Sequence, residues 1–177
     1  QWRMFDEVPL VVPEINASAI QKDNHIIANP NCSTIQLVLV LSRLHEEFKI
    51  KRIVVSTYQS VSGTGVKAVQ QLYNERTEQD GEMAYPHQID MNCIPHGGTF
   101  SENGYTSEEE KLIHETRKIL GDPDIQVSPT VVRVPVLGGH SESVNIEFDK
   151  PFELEEIYSL LQNTPGVVIQ DEPQNNV

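Results

Sequence analysis

The sequence predicts an α/β domain, because segments with helical character and segments with strand character succeed one another along the 177 residues. Three observations carry this prediction. Residues 32–48 are a long apolar run that follows a turn, residues 125–136 are rich in β-branched residues, and residues 107–120 are a charged segment that Gly121 and Pro123 end. With 38% hydrophobic residues, a chain of this length can bury one real core.

The elements can be assigned in chain order. The predicted helices are 32–48, apolar almost all round and therefore deeply buried, 64–78 with Val66, Val69 and Leu72, 107–120 with Leu112, Ile113 and Ile119, and 153–162. The predicted strands are 8–12, as a short strand or extended entry, 51–58, 125–136, 141–149 and 166–170. Residues 79–104 hold glycine, proline, asparagine and histidine and are expected to be irregular.

Charge and cysteine content exclude several classes of function. The net charge of −13 argues against a nucleic-acid partner but allows an anionic small substrate, which needs only a few cations. Cys32 and Cys93 do not form a disulfide framework, so we expect reduced thiols and a cytoplasmic protein. Cys93 and His96 are too sparse for a zinc site, and we expect no metal. The sequence has no apolar run long enough for a membrane span and no signal peptide.

Cys32 is the most informative residue of the chain. It follows the turn-forming residues 29–31 and begins the predicted helix 32–48. The N–H groups and the positive dipole end of a helix N-terminus favour a thiolate, which is the nucleophilic form of cysteine. The alternative is that Cys32 is a small buried apolar residue, as most free cysteines are.

Five sequence blocks resemble the catalytic half of the bacterial aspartate-β-semialdehyde dehydrogenases. In the family's order they are WRMFDEVPLVVPEIN (2–16), NPNCSTIQ (29–36), STYQSVSGTG (56–65), EEEK (108–111) and RVPVLGGHSESVNIEF (133–148). The resemblance implies a mixed β-sheet with helices packed on one face, as in the C-terminal catalytic and dimerisation domain of the glyceraldehyde-3-phosphate dehydrogenase-like fold. It also implies a homodimer.

The resemblance implies NADP-dependent reduction of L-aspartyl 4-phosphate to L-aspartate 4-semialdehyde with release of phosphate. This reaction belongs to the biosynthesis of lysine, threonine, methionine and diaminopimelate. In the reverse direction, the Cys32 thiolate attacks the aldehyde to give a thiohemiacetal. His140 takes the hydroxyl proton as hydride leaves to NADP, and phosphate then attacks the resulting thioester.

The resemblance also assigns roles to individual residues. The catalytic residues are Cys32, Gln59, which orients the reacting group, and His140. The substrate-binding residues are Arg133 for the carboxylate, Glu108 for the amino group, Arg3 and Lys111 for the phosphate, and Asn31. The residues on the nicotinamide side are Ser62 and Gly63.

Each of these residues also has a purely structural interpretation. Arg133 alternates with Val132 and Val134, so it can be a solvated strand arginine. Glu108 and Lys111 lie at the spacing of a surface ion pair, and the choice among glutamates 108–110 stays open. Asn31 can simply cap the helix.

No GxGxxG follows a strand in this sequence. The resemblance places an NADP-binding Rossmann part before this region and a further segment after it, so we expect residues 1–177 to be a catalytic and dimerisation domain. Alone, this chain should bind NADP(H) poorly and show negligible activity. Three alternatives remain: a non-catalytic dimerisation module, a related acyl-phosphate reductase, and a hydrolase that uses Cys32 and His140. The preference for NADP over NAD also stays open.

Overall fold

The computed structural model describes residues 2–175 and confirms the α/β class. The helices in this part are Pro13–Asn16 (α1), Cys32–Phe48 (α2), Val66–Arg76 (α3), Ser107–Leu120 (α4) and Leu154–Gln162 (α5). The strands are Ile50–Ser60 (β1), Gln126–Val134 (β2) and His140–Phe148 (β3), which form one mixed sheet in the order β2-β1-β3. Short 3-10 turns cover Ala17–Ala19, Val61–Thr64 and Pro173–Asn175.

The chain divides into two compact units. The first unit contains the residues up to Ile53, His114–Gln126 and the residues from Ile146 on, and the second contains Val54–Ile113 and Val127–Asn145. Each unit has a buried apolar cluster of its own, which hydrophobic burial stabilises. In the first unit the cluster is Val8, Leu10, Val12, Ala28, Val38 and Ile119. In the second it is Val61, Ala68, Leu72, Tyr85, Ile89 and Ile94.

Helix α2 has the predicted bounds. Asn31 is its N-cap in an extended conformation, and its side-chain oxygen accepts a hydrogen bond from Ser33 N at 3.0 Å. This bond satisfies one of the N–H groups that a helix N-terminus leaves unpaired. Burial is less complete than predicted, because Val38 is fully buried whereas Ile35 and Leu39 are only half-buried.

Several predicted elements are wrong or shifted. Residues 8–12, by contrast, are the extended entry that the prediction allowed, with one bridge from Leu10 to Ala28, and α1 follows at once. Residues 166–170 form no strand, because Val168 is 90% exposed and Val167 N donates back to Thr164 O in a turn. Helix α3 begins at Val66 rather than at residue 64, because Gly65 has a φ of 109°, a left-handed conformation outside the helical region. No helix within residues 2–175 is long and apolar enough to cross a membrane.

A buried histidine, His45, makes hydrogen-bond and charge contacts at the C-terminal end of α2. His45 Nδ1 accepts a hydrogen bond from Ile50 N at 3.1 Å, and its Nε2 lies 3.5 Å from Asp122 Oδ2. Lys49 pairs with the same Asp122 carboxylate. Burial, and then the charge of Lys49, lower the pKa of His45 below its usual value, although Asp122 and Glu46 act in the opposite direction.

We therefore expect acidification to destabilise the protein through His45. As the pH falls through about 6.5, the usual histidine pKa, the unfolded chain takes up a proton that folded His45 resists, so the free energy of unfolding decreases. Urea unfolding should show a lower midpoint at about pH 5.5 than at about pH 7.5. His45→Gln keeps an acceptor for Ile50 N but cannot titrate, so this decrease should shrink. The exposed His25→Gln is the control, and an equal effect of both variants would contradict the expectation.

Candidate functional site

The N-terminus of α2 presents Cys32 to solvent. Cys32 is the first residue of the helix and is exposed, and its Sγ lies 3.9 Å from Asn31 Oδ1. The interpretation of Cys32 as a buried apolar residue is therefore wrong. An accessible thiol can react, because the reagent reaches it.

Glu115 fixes the backbone just before Cys32. This α4 residue is only 1% exposed, and its Oε2 accepts a hydrogen bond from Asn31 N at 2.6 Å. Its Oε1 lies 3.0 Å from Arg3 Nη1 in an ion pair. Glu115 lies outside the five sequence blocks that predict the site. The available signal was its position on the apolar stripe that also carries Leu112 and Ile119, where a charge signals a buried partner.

Lys118, one turn further along α4, holds the chain around Arg3. Its Nζ donates to three backbone carbonyls, those of Arg3 at 3.0 Å, Phe5 at 2.7 Å and Val8 at 3.1 Å. The backbone and the side chain of Arg3 are thus both held by α4. The Arg3 side chain is still 31% exposed, so an anion can reach its remaining N–H groups.

Arg133 is buried in the second unit. It lies on β2 and exchanges backbone hydrogen bonds with Ile94, at 2.8 and 3.0 Å. It is 7% exposed, so the interpretation as a solvated strand arginine is wrong. Its Nη1 is buried and has no hydrogen-bond partner among residues 2–175. A buried N–H group without a partner is costly, which indicates that a hydrogen-bond acceptor such as a carboxylate completes this position.

His140 and Arg133 meet at Gly63. A Cβ added to Gly63 would lie 3.0 Å from His140 Cε1, 3.1 Å from His140 Nε2 and 3.3 Å from Arg133 Nη1. Glycine therefore permits the close approach of backbone, imidazole and guanidinium. The adjoining Ser62 Oγ donates to Leu137 O at 2.7 Å, which ties this turn to the residues just before His140.

The Nδ1 atom of His140 faces a donor and an acceptor. It lies 3.1 Å from Ser60 N and 2.9 Å from Gly139 O. A protonated Nδ1 donates to the carbonyl, and an unprotonated Nδ1 accepts from Ser60 N–H, so both states have a partner. Ser60 is not among the predicted site residues. Gln59, the preceding residue of β1, is fully buried at the end of the strand.

The start of α4 distinguishes the three glutamates. Glu109 accepts from Thr106 N and Val131 N, which is a capping role, and Glu110 accepts from the Asn103 side chain. Glu108 pairs with Lys111, as its spacing predicts, but its side chain is only 14% exposed. This pair is therefore not an ordinary surface ion pair.

No group of three or more metal-binding side chains lies within the described residues 2–175. In the first unit, the structure brings Arg3 and Asn31 together through Glu115, next to Cys32. In the second, it brings together Gly63, Arg133 and His140.

A family described as "Semialdehyde dehydrogenase, dimerisation domain" matches residues 41–177. The chain belongs to this family. Among the curated relatives of this semialdehyde dehydrogenase domain is an aspartate-semialdehyde dehydrogenase of Aquifex aeolicus, 50% identical over 99% of the chain and 54% of the relative. The enzyme of the same name from Bacillus subtilis is 44% identical over 99% of the chain and 55% of the relative. The chain thus spans about half the length of the curated relatives it matches.

Solved structures of semialdehyde dehydrogenases share the fold. Aspartate semialdehyde dehydrogenase II from Vibrio cholerae, complexed with ASA, has a TM-score of 0.88 at 43% identity, over 93% of this chain and 51% of that chain. The Candida albicans enzyme with NADP has a TM-score of 0.68 at 27% identity, over 92% of this chain and 46% of that chain. The glyceraldehyde-3-phosphate dehydrogenase-like fold implied by the sequence is confirmed.

Proposed function

We propose that the full-length protein carries out NADP-dependent reduction of L-aspartyl 4-phosphate to L-aspartate 4-semialdehyde, with release of phosphate. The observation that carries the proposal is the buried Arg133, whose Nη1 has no partner among residues 2–175 and lies beside His140 at Gly63. A guanidinium in this state fits a substrate carboxylate next to an acid–base group. A related acyl-phosphate reductase whose substrate has no such carboxylate would not use this arginine.

Cys32 is the proposed nucleophile. Its thiolate attacks the carbonyl carbon of the acyl phosphate, and phosphate leaves as a thioester forms. In the reverse direction it attacks the aldehyde to form a thiohemiacetal. Asn31 contributes by capping α2, which fixes the residue before the thiol, and by presenting its amide to the substrate. Gln59, buried at the end of β1, orients the reacting group.

His140 is the proposed acid and base. In the direction of aldehyde oxidation, its Nε2 accepts the hydroxyl proton of the thiohemiacetal. Nδ1 then carries a proton that it donates to Gly139 O at 2.9 Å, which stabilises the imidazolium. Ser60 N–H can donate to Nδ1 only in the other neutral tautomer, in which Nε2 carries the proton and cannot act as the base.

The remaining charged residues are proposed to bind the two ends of the substrate. Arg133 binds the carboxylate and Glu108 binds the amino group, a choice that the capping role of Glu109 supports. Arg3 and Lys111 bind the phosphate. Both are partly exposed, at 31% and 39% of their side chains, so an anion can reach them.

The Ser62–Gly63 turn fits the nicotinamide side of NADP. Gly63 has no Cβ where one would approach His140 to 3.0 Å, so its backbone leaves room beside the reacting group. Ser62 and Gly63 would hold the reactive end of NADP, which would supply the hydride acceptor or donor. The printed sequence contains no dinucleotide fingerprint, so these residues account for only part of a cofactor site.

A second copy of the protein is the proposed partner. The family is described as a dimerisation domain, and β3 has no fully buried residue within the described chain. A strand with one half-buried and one exposed face fits a sheet that a partner covers.

The proposed location is the cytoplasm. A catalytic thiol must stay reduced, which fits the cytoplasm.

The direct test is phosphate-dependent reduction of NADP by the full-length protein with L-aspartate 4-semialdehyde. The proposal requires turnover that needs all three reactants. The molar mass from light scattering on the same sample distinguishes an active enzyme from a purely structural module. Such a module would form dimers but show no turnover. Thioester or ester hydrolysis without NADP would instead support a Cys–His hydrolase.

We expect Arg133→Lys to reduce kcat/KM for aspartate semialdehyde. The loss of transition-state binding free energy should be on the order of 2–4 kcal/mol. Lysine keeps the charge but loses the planar fork that grips a carboxylate with two hydrogen bonds. The exposed strand residue Arg52 gives the matched control, Arg52→Lys, which should leave kcat/KM unchanged. Melting temperatures separate this effect from unfolding, and an unchanged kcat/KM in Arg133→Lys would remove Arg133 from the substrate site.

A further inference from the structure

Glu115 is a buried carboxylate that the proposed reaction does not use. It is 1% exposed, and a buried charge is costly unless its oxygens are paired and hydrogen-bonded. Both oxygens are used here, Oε1 by Arg3 Nη1 at 3.0 Å and Oε2 by Asn31 N at 2.6 Å. One carboxylate thus joins the residue before the nucleophile to the proposed phosphate-binding arginine.

From this geometry we infer that Glu115 is a positioning residue that sets the phosphate site against the nucleophile, an inference that rests on the proposed function. Phosphate must reach a thioester on Cys32, so Arg3 has to be held at a fixed place relative to that sulfur. Glu115 provides this link through two hydrogen bonds, and Lys118 holds the Arg3 backbone from the next turn of α4. Preorganisation of this kind lowers the entropic cost of bringing reactants together.

The chemistry of the two neighbours explains why a carboxylate is required. Arg3 Nη1 and Asn31 N are both donors, so the residue between them must accept twice. Glutamine has the same shape, but its amide offers one acceptor oxygen and one donor nitrogen. Glu115→Gln therefore leaves a donor facing a donor, at Arg3 or at Asn31. Glu115→Asp keeps the charge but shortens the reach.

The first test is the kinetics of Glu115→Gln in the full-length protein. We expect KM for phosphate to rise roughly 10- to 100-fold, because Arg3 loses its fixed position. KM for aspartate semialdehyde should change by no more than about twofold, since Arg133 and Glu108 are untouched. Asp122→Asn is the matched control, because it removes another buried, ion-paired carboxylate of the same unit without touching Arg3 or Asn31.

A double-mutant cycle decides whether Glu115 acts through Arg3. In an Arg3→Gln background, Glu115→Gln should no longer raise KM for phosphate. If Glu115 were merely structural, Glu115→Gln would raise KM for phosphate by the same factor in the wild-type and Arg3→Gln backgrounds. It would also lower kcat, kcat/KM for both substrates and the melting temperature together. Either of these results, or an effect no different from that of Asp122→Asn, would overturn the inference.

Two readouts do not need turnover and keep the inference separate from the proposed function. Amide hydrogen exchange in a peptide that contains Asn31 should be faster by about tenfold or more in Glu115→Gln, but not in Asp122→Asn. Inorganic phosphate should raise the melting temperature of the wild type more than that of Glu115→Gln. If the wild type shows no turnover but both differences between wild type and Glu115→Gln are observed, only the proposed reaction is refuted. Unchanged exchange and unchanged phosphate stabilisation in Glu115→Gln would refute the positioning role.

Discussion

Cys32→Ala is expected to abolish phosphate-dependent oxidation of aspartate semialdehyde by the full-length protein. The loss in kcat should be on the order of 10⁴-fold or more, as when other covalent enzymes lose their nucleophile. The reason is that no thiohemiacetal or thioester can form without the sulfur. Cys32 is exposed at the start of α2, so the substitution removes little packing and should leave the melting temperature nearly unchanged.

Cys93→Ala is the matched control, because Cys93 is the other exposed cysteine and has no proposed role. It should retain wild-type turnover. Alkylation with iodoacetamide followed by peptide mapping adds an independent measurement, in which modification of Cys32 should run parallel to the loss of activity. A wild-type rate in Cys32→Ala, or a loss of activity caused by Cys93→Ala, would show that the nucleophile lies elsewhere.

His140→Asn is expected to lower kcat by about 10²- to 10⁴-fold, the usual contribution of general acid–base catalysis, with a much smaller change in KM for the aldehyde. Asparagine can still accept a hydrogen bond from Ser60 N through its side-chain oxygen, so the local fold should persist. It cannot take up the proton that leaves the thiohemiacetal.

His96→Asn provides the comparison for His140→Asn. His96 stacks on Phe100 in the second unit and has no proposed part in proton transfer, so kcat should change little. If His140→Asn changes only KM, His140 binds the substrate and another group moves the proton. That result would leave the proposed reaction intact but would remove the role that we assign to the imidazole.

Much of the fold and of the site follows from local sequence. Helix α2 runs from Cys32 to Phe48 as predicted, because an asparagine that can cap a helix precedes a long apolar segment. Ser107–Leu120 has the predicted bounds for the same kind of reason, since a charged periodic segment ends at a glycine. The prediction of a strand at 166–170 was wrong, because β-branched content indicates a strand only where another strand can pair with it.

Alternation along a single strand did not reveal the burial of Arg133. The residues that cover a side chain come from other segments, such as Ile94, which pairs with Arg133 in a region predicted to be irregular. The roles of the three glutamates at 108–110 also depended on distant partners, among them Val131 N, which Glu109 binds.

The sequence by itself determined the family, the α/β class, the position of Cys32 at a helix start and the set of candidate residues, because these depend on local chemistry and on motifs in order. Only the tertiary structure decided that Arg133 is buried with Nη1 unpaired among residues 2–175, that Gly63 brings this arginine to His140, and that Glu115 joins Arg3 to Asn31. Burial and hydrogen bonding between residues far apart in sequence arise when the chain packs, so no local pattern encodes them.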